Sequence, residues 1–452
     1  MPGHPSSQRL ELFMTGGLPP GESPAIIRHL VAGCSECAKT TSHLWEVLVT
    51  GRKAHRPAPE EYEEAFDRAW VRAQEVHELL RLERETAKTL SQELLELPPR
   101  RQRLRVRNDR RYQTLSLCQA LIEGSKSAIF DDAATASHLA DMAREIADDL
   151  DTHRYGAAIV ADARADAWAT YANAVRETSD FEQAEDALRT ARAHLEEGTG
   201  NPEEKAKYLN SLANVLIERG RIEDSFVALR ELEAIYSKLG DLHMLGRAQL
   251  KKAFALHKQG HFEQEIPILN RALKLLDPVR DPRRQVVALH NLVVALIASG
   301  RLEEADRHMI KLRRTHAEQG DRLNLLRLRW LEGELAYAKD DLDLAESLFA
   351  EVRNAFIELE IGIDVALVSL DLAEVLWHQG RGQDTQARLQ EAIPILGALG
   401  VHAEAIAAMA FLEHAVRVET ASRELIRQTA AFVRRVQSDP TARFSATELT
   451  GR

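Results

Sequence analysis

The chain has 452 residues, 44 % of them apolar and only 5 % aromatic, with a formal net charge of −11 and three cysteines. That length and apolar content allow a sizeable core, and the Ala/Leu/Glu/Arg-rich mixture favours helix over sheet. The negative charge argues against general nucleic-acid or anionic-membrane binding, and three cysteines exclude a disulfide framework. The N-terminal stretch MPGHPSSQRLELF lacks the basic-then-apolar pattern of a secretory signal, and no apolar run approaches the roughly 20 residues that span a bilayer. The expectation is a cytoplasmic chain.

Residues 1–52 read as a compact segment of short helical patterns punctuated by Gly and Pro. Within it, HLVAGCSEC (29–37) carries two of the three cysteines, two residues apart, with His29 five positions before Cys34. A C-x2-C thiolate pair can bite one metal ion, a nearby imidazole can be a third ligand, and zinc takes four. Three readings stay open: a zinc site, a metal-free vestige of one, and a redox pair. Cys118, in the apolar LSLCQALI, reads as a buried core thiol.

Residues 51–59 read as a loop. A long helical pattern follows from 59 to 97, with Tyr62, Phe66, Trp70 and Ala73 on one stripe, and Pro98 and Pro99 end it. Seven arginines then lie between Arg100 and Arg111. They read as a solvated hinge, with contact to nucleic acid or to an acidic partner as the other reading.

From about 106 to 420 the pattern is helical and repeats. Turns begin at Ser179, Gly220, Gly260, Gly300, Asp340 and Gly380, and a second set falls midway at Leu239, Arg280, Gln319 and Leu399. A near-constant period of about 40 residues signals a solenoid of two-helix units that bury their apolar faces only by stacking. Two positions after each turn start stands an apolar plug (Phe181, Ile222, Phe262, Leu302, Leu342), replaced by Gly382 in the last unit, which predicts loose packing there. A helix from about 420 to 437 is expected to cap the open end, followed by a disordered tail.

This repeat pattern resembles the tetratricopeptide repeat (TPR) family over about residues 155–420, with a degenerate unit before it. The family's usual repeat is 34 residues, and the 40-residue period here is similar to long-helix variants of bacterial regulatory proteins. The resemblance implies that the first helix of each unit lines a groove in which a peptide lies. By register from the turns, the groove positions are Asn173, Lys207, Asn210, Asn214, Arg247, Lys251, His290, Asn291, Arg327 and Trp330. Asn can hold a peptide backbone as donor and acceptor, and Lys and Arg can pair with carboxylates. Asp364, Asp371 and Glu374 then turn the groove acidic, a polarity that could set ligand direction. The chain's own N-terminal helix is an alternative occupant.

The stretch from His4 to Cys37 resembles the zinc-binding domain of bacterial anti-sigma factors. Carried over, the resemblance implies His4, His29, Cys34 and Cys37 as ligands, with His43 or water as the alternative to His4. The spacing here is H-x4-C-x2-C, one residue longer than in that family.

Phosphate-loop, dinucleotide-loop, nucleophile-elbow and H-E-x-x-H motifs are all missing from the sequence. The expectation is an all-α, non-catalytic bacterial protein in four parts. These are a zinc-finger-like segment (1–52), a linker helix and Arg-rich hinge (53–105), a TPR-like solenoid (106–420), and a capping helix with a tail (421–452). Its function would be regulatory binding of a protein or peptide partner, such as a sigma factor or a signalling enzyme. The N-terminus would exert anti-sigma-like control through zinc. The alternative is a scaffold subunit with a vestigial finger.

Overall fold

The computed structural model describes residues 78–129, 132–178, 180–319, 322–438 and 442–445, together with 4–14, 18, 26, 29–30, 34–37 and 39–42. Among these residues the regular structure is helical and there is no strand. None of the helices is long and apolar enough to cross a membrane. Helix α1 is Ser7–Met14. After a helical stretch at 78–95 come α2 (Pro99–Asn108), α3 (Leu115–Ala128) and α4 (Ala133–Asp148). The repeats then alternate a first and a second helix. They are α5 (Ala157–Arg176) with α6 (Phe181–Glu197), α7 (Pro202–Glu218) with α8 (Ile222–Leu239), and α9 (Leu242–Lys258) with α10 (Phe262–Leu275). There follow α11 (Pro282–Ala298) with α12 (Leu302–Gln319), α13 (Arg322–Ala338) with α14 (Leu342–Glu358), and α15 (Gly362–His378) with α16 (Gly382–Ala398). The last two are α17 (Ala403–Arg417) and α18 (Arg423–Ser438).

The turns that set the period are helix C-caps. Gly220 has φ 71°, Arg221 N–H donates to the Leu216 carbonyl at 2.9 Å, and Gly220 N–H donates to Ile217 at 3.1 Å. This is the Schellman pattern, in which a left-handed residue lets the chain recover two orphan carbonyls. It recurs at Gly260, Gly300, Gly380 and Gly400, and also at Asp340 (φ 65°) and Glu360 (φ 57°), where the residue is not glycine. The plug residue of each unit is the first residue of the second helix. At Gly382 the expected looseness is not seen. The Trp377 ring lies 3.8 Å from where a Cβ would stand, and Leu389, Ala392 and Leu396 of the same helix are buried.

The Cα packing forms two units. The first comprises residues up to Ala174 with 187–208 and 234–241; the second comprises 175–186, 209–233 and 242 onward. In the first unit, Leu94, Val106, Leu117, Cys118, Leu121, Met142 and Ile146 share one core. Cys118 is wholly buried, and its thiol donates to the Ala143 carbonyl at 3.3 Å. Residues 78–105 belong to this core and do not form a free linker. Leu94 is buried, and buried Glu83 accepts from Tyr155 Oη at 2.7 Å and from Arg154 Nη2 at 2.6 Å. The arginine run has an acidic partner inside the chain: Arg103 pairs with Asp141 at 2.6 Å and Arg107 with Glu145 at 2.5 Å, both on α4.

The second unit is a TPR-like α-solenoid of stacked helical hairpins. Its helices approach closely where the side chain is smallest. A Cβ on Gly333 of α13 would stand 2.6 Å from Phe349 Cε1 of α14. Helix α18 does not repeat the pairing of the second helices before it: it packs against both α15 and α17. Leu425, Ile426, Phe432, Val433 and Val436 on its apolar face enter the same core as α14–α17. Part of the tail is docked as well. Phe444 lies 5.7 Å from the Phe411 ring and 5.8 Å from Phe432, and its N–H donates to Glu404 Oε2 at 2.7 Å.

Candidate functional site

Near the N-terminus, His4 stands just before α1, His29 and Leu30 are helical, and Cys34 precedes the helical residues 35–37. Leu10, Ile26 and Cys37 form a small buried cluster with Phe13, Leu18, Leu30 and Cys34 around it. On this support, one ligand atom from each of His4, His29, Cys34 and Cys37 falls within 4.8 Å of the others. His4 Nδ1 is 3.1 Å from Cys34 Sγ and 3.7 Å from Cys37 Sγ. Tetrahedral zinc with bonds of about 2.0–2.3 Å separates its ligand atoms by about 3.3–3.8 Å, so the donor set fits that ion and small side-chain shifts would bring the four atoms to its spacing. His29 Nε2 is buried without a hydrogen-bond partner among the described residues, as a ligating nitrogen would be. The other ring nitrogen of His4, Nε2, lies 3.9 Å from a Glu36 carboxylate oxygen, the kind of outer partner that orients a ligating imidazole. Burial, then the neighbouring Cys34 and Glu36, hold the Cys37 thiol above its usual value. His43 lies outside the described residues, as do the loop at 51–59 and the helical pattern from 59 to 77.

The register-derived groove residues lie on the first helices of the hairpins. In the first unit, Asn173 is half-buried and Lys207 is already neutralised. Lys207 Nζ sits 3.0 Å from Asp166 and 2.9 Å from Glu204. Burial works against its charge, but those two carboxylates outweigh it and hold Lys207 above its usual value.

In the second unit, adjacent first helices are stitched by polar contacts offset by about one repeat. Lys251 Nζ donates to the Asn210 carbonyl at 3.2 Å and to Asn214 Oδ1. Trp330 Nε1 donates to Asp371 Oδ2 at 2.7 Å, and Tyr337 Oη to Glu374 Oε1 at 2.9 Å. These offsets of 37 and 41 residues place one helix's side chains against the next first helix, one turn apart. Arg247 and Asn291 are half-buried on the same helices, and Arg327 is exposed. Burial, then the charges of His316, Arg327 and His257, lower His290 to about 4, so it is neutral near pH 7.

Chemistry changes along this face. Around Lys251 the acting charges are Arg176, Arg247 and Arg284; burial first, then these cations, hold Lys251 well below its usual value. Further on, a cavity of about 510 Å³ is lined by Glu334, Tyr337, Asp371, Glu374, Arg423 and Arg427 among others. Burial and the charge of Asp371 push Glu334 up to about 7, and burial pushes Asp371 to about 6, with Arg434 opposing both shifts. Glu374 accepts from Arg423 Nε at 2.8 Å and from Arg427 Nε at 3.0 Å, and the Arg423 guanidinium lies 5.3 Å over the Tyr337 ring. The segment seated on the acidic stretch is therefore α18. Glu334, Tyr337 and these two arginines were absent from the sequence-derived set. The visible signal was the spacing Arg423, Arg427, Arg434, which puts three cations on one face of an amphipathic helix.

No family model matches the sequence, and no curated protein matches it. Among solved structures, the chain is similar to a Rap protein complexed with competence and sporulation factor. The identity is 16 %, 79 % of this chain and 99 % of that one are covered, and the TM-score is 0.45. It is also similar to aspartyl phosphate phosphatase F from Bacillus subtilis (11 % identity, 87 % and 96 % covered, TM-score 0.48). A third is NprR in complex with its cognate peptide NprX (14 % identity, 72 % and 99 % covered, TM-score 0.44).

Proposed function

We propose that the chain is a non-catalytic regulatory adaptor whose first-helix face holds a protein or peptide segment and whose N-terminal segment is a zinc site with an anti-sigma-like role. The observation that carries the binding reading is the polar ladder along that face, whose side chains reach from one first helix to the next. The zinc reading rests on the convergence of His4, His29, Cys34 and Cys37. In this reading the four side chains would hold the ion, which supplies structural cross-linking of a segment too small to build a large core. The repeats form the body that receives the partner. A sigma factor is the first candidate for the N-terminal segment and a signalling protein for the repeats.

The test is purification of the tagged chain from its native cell, with metal and bound proteins read from one sample. About one zinc per chain is expected, and it should disappear in the double variant Cys34→Ala/Cys37→Ala. A metal-free wild type overturns the zinc assignment. Cross-links from a captured partner to α7, α9 or α11 support the adaptor reading; cross-links confined to the second helices of the hairpins overturn it.

A further inference from the structure

We propose that the cavity lined by α13, α15 and α18 is a binding site for a small organic dication, of which a short aliphatic diamine is the simplest. The inference goes beyond the adaptor reading and does not depend on it. The cavity's volume of about 510 Å³ is that of a small-molecule pocket. Ile297, Ala298 and Phe349 give it an apolar wall, and four carboxylates line it (Glu334, Asp340, Asp371 and Glu374) against the two guanidiniums of Arg423 and Arg427. Both guanidiniums are already engaged by Glu374, at 2.8 Å and 3.0 Å. Asp340 has the His378 imidazole at 3.9 Å. Two carboxylates remain without a counter-charge. Asp371 accepts one hydrogen bond, from Trp330 Nε1, and Glu334 accepts none among the described residues. Arg434 of α18 acts on both from a distance and forms no ion pair with either among the described residues.

A carboxylate drawn out of water with neither donor nor cation tends to keep its proton. That is the state of this pair: burial and Asp371 push Glu334 up to about 7, and burial pushes Asp371 to about 6. An arriving cation supplies what both lack, hydrogen-bond donors and opposite charge. A metal ion does not suit the cavity, because it needs several ligand atoms converging on one point. Among the described residues only His4, His29, Cys34 and Cys37 converge in that way. An amine carries its own N–H donors, and its carbon chain can lie on the wall of Ile297 and Phe349. Two ammonium groups match the two uncompensated carboxylates. The amine stays charged through neutral pH, so binding should draw protons off Glu334 and Asp371 and release them to solvent.

The experiment titrates 1,4-diaminobutane into the full chain by calorimetry at low ionic strength. Glu334→Gln keeps the shape of the side chain and removes its charge, and should weaken binding by about tenfold or more. Glu303→Gln, at an exposed acid of α12, should stay within about twofold of wild type. The unfolding transition of Glu334→Gln, measured alongside, should be undiminished, which separates loss of the site from loss of the fold. Affinity should rise about tenfold from about pH 6 to 8, with a heat that varies with the buffer as the released protons are taken up. The monocation 1-aminobutane should bind at least about tenfold more weakly. Nα-acetyl-lysine amide sorts the source of the ammonium: weaker binding than the diamine assigns a free molecule, and tighter binding assigns a partner's lysine side chain and overturns the dication site. Equal binding by wild type and Glu334→Gln overturns the proposal, as does an affinity that falls with pH or full displacement of the diamine by potassium at matched charge.

Discussion

Glu334 and Asp371 show what burial of like charges does at one point in the chain. Both face the cavity under α18, and both carboxyls are raised, the first to about 7 and the second to about 6. They interact, so the two protons belong to the pair. A carboxyl raised in the folded state keeps its proton at pH values where the unfolded chain has lost it. Stability is then greatest near or below the unfolded value of about 4 and falls as pH rises toward 7. Urea unfolding should therefore show the hairpins from α13 to α18 losing stability between pH 5 and 7. Glu334→Gln should remove much of that slope and stabilise the protein at pH 8 by about 1 kcal/mol, a value reduced for the solvent that reaches the cavity. A variant with the wild-type slope would show that the pair is not under strain. The pattern of Asp371 and Glu374 was legible in the sequence because they fall in register. Glu334 was not, because its role depends on a helix 89 residues further on that folds back over it.

The helix ends carry the clearest relation between sequence and element. Glycine at a fixed offset predicted the turns, and the left-handed φ values at Gly220, Gly260, Gly300 and Gly380 are why the period could be read at all. Glu360 takes the same conformation at φ 57° with a side chain, and it is exposed. An L-residue there costs about 1 kcal/mol relative to glycine, partly offset by glycine's greater freedom when unfolded. Glu360→Gly should stabilise the second unit by up to about 1 kcal/mol in a denaturant titration. The opposite holds at Gly333, where a Cβ would meet the Phe349 ring at 2.6 Å. Gly333→Ala should destabilise by about 1–3 kcal/mol through overpacking, and a neutral result would mean that α13 and α14 separate at little cost. The sequence could not show the close approach at Gly333, since a glycine inside a helical pattern gives no direction for what it touches. The placement of α18 escaped for a related reason. Periodicity says which face of a helix is apolar, but it does not say which of two neighbouring helices receives that face.

At the level of the molecule, the question is whether the N-terminal segment and the repeats depend on each other. The sequence put a boundary at 105, within the arginine run, because charge and proline clusters usually mark linkers. The packing places residues from 78 onward inside the first unit's core: Leu94 is wholly buried, and Glu83 holds Tyr155 and Arg154. A fragment of residues 78–445 should therefore fold cooperatively without metal, since stacked hairpins carry its stability. A fragment starting at 106 strips this cover and strands the Arg154 and Tyr155 donors, so it should lose about 3 kcal/mol or more in urea unfolding. In the full chain a strong chelator should remove zinc and leave the main unfolding transition of the repeats unchanged. If chelation shifts that transition, the His4–Cys37 segment stabilises the repeats, and a metal signal at the N-terminus could reach the partner-binding face through stability alone. If the transition stays and metal removal still releases a bound partner, the segment itself holds that partner, as the anti-sigma-like role requires.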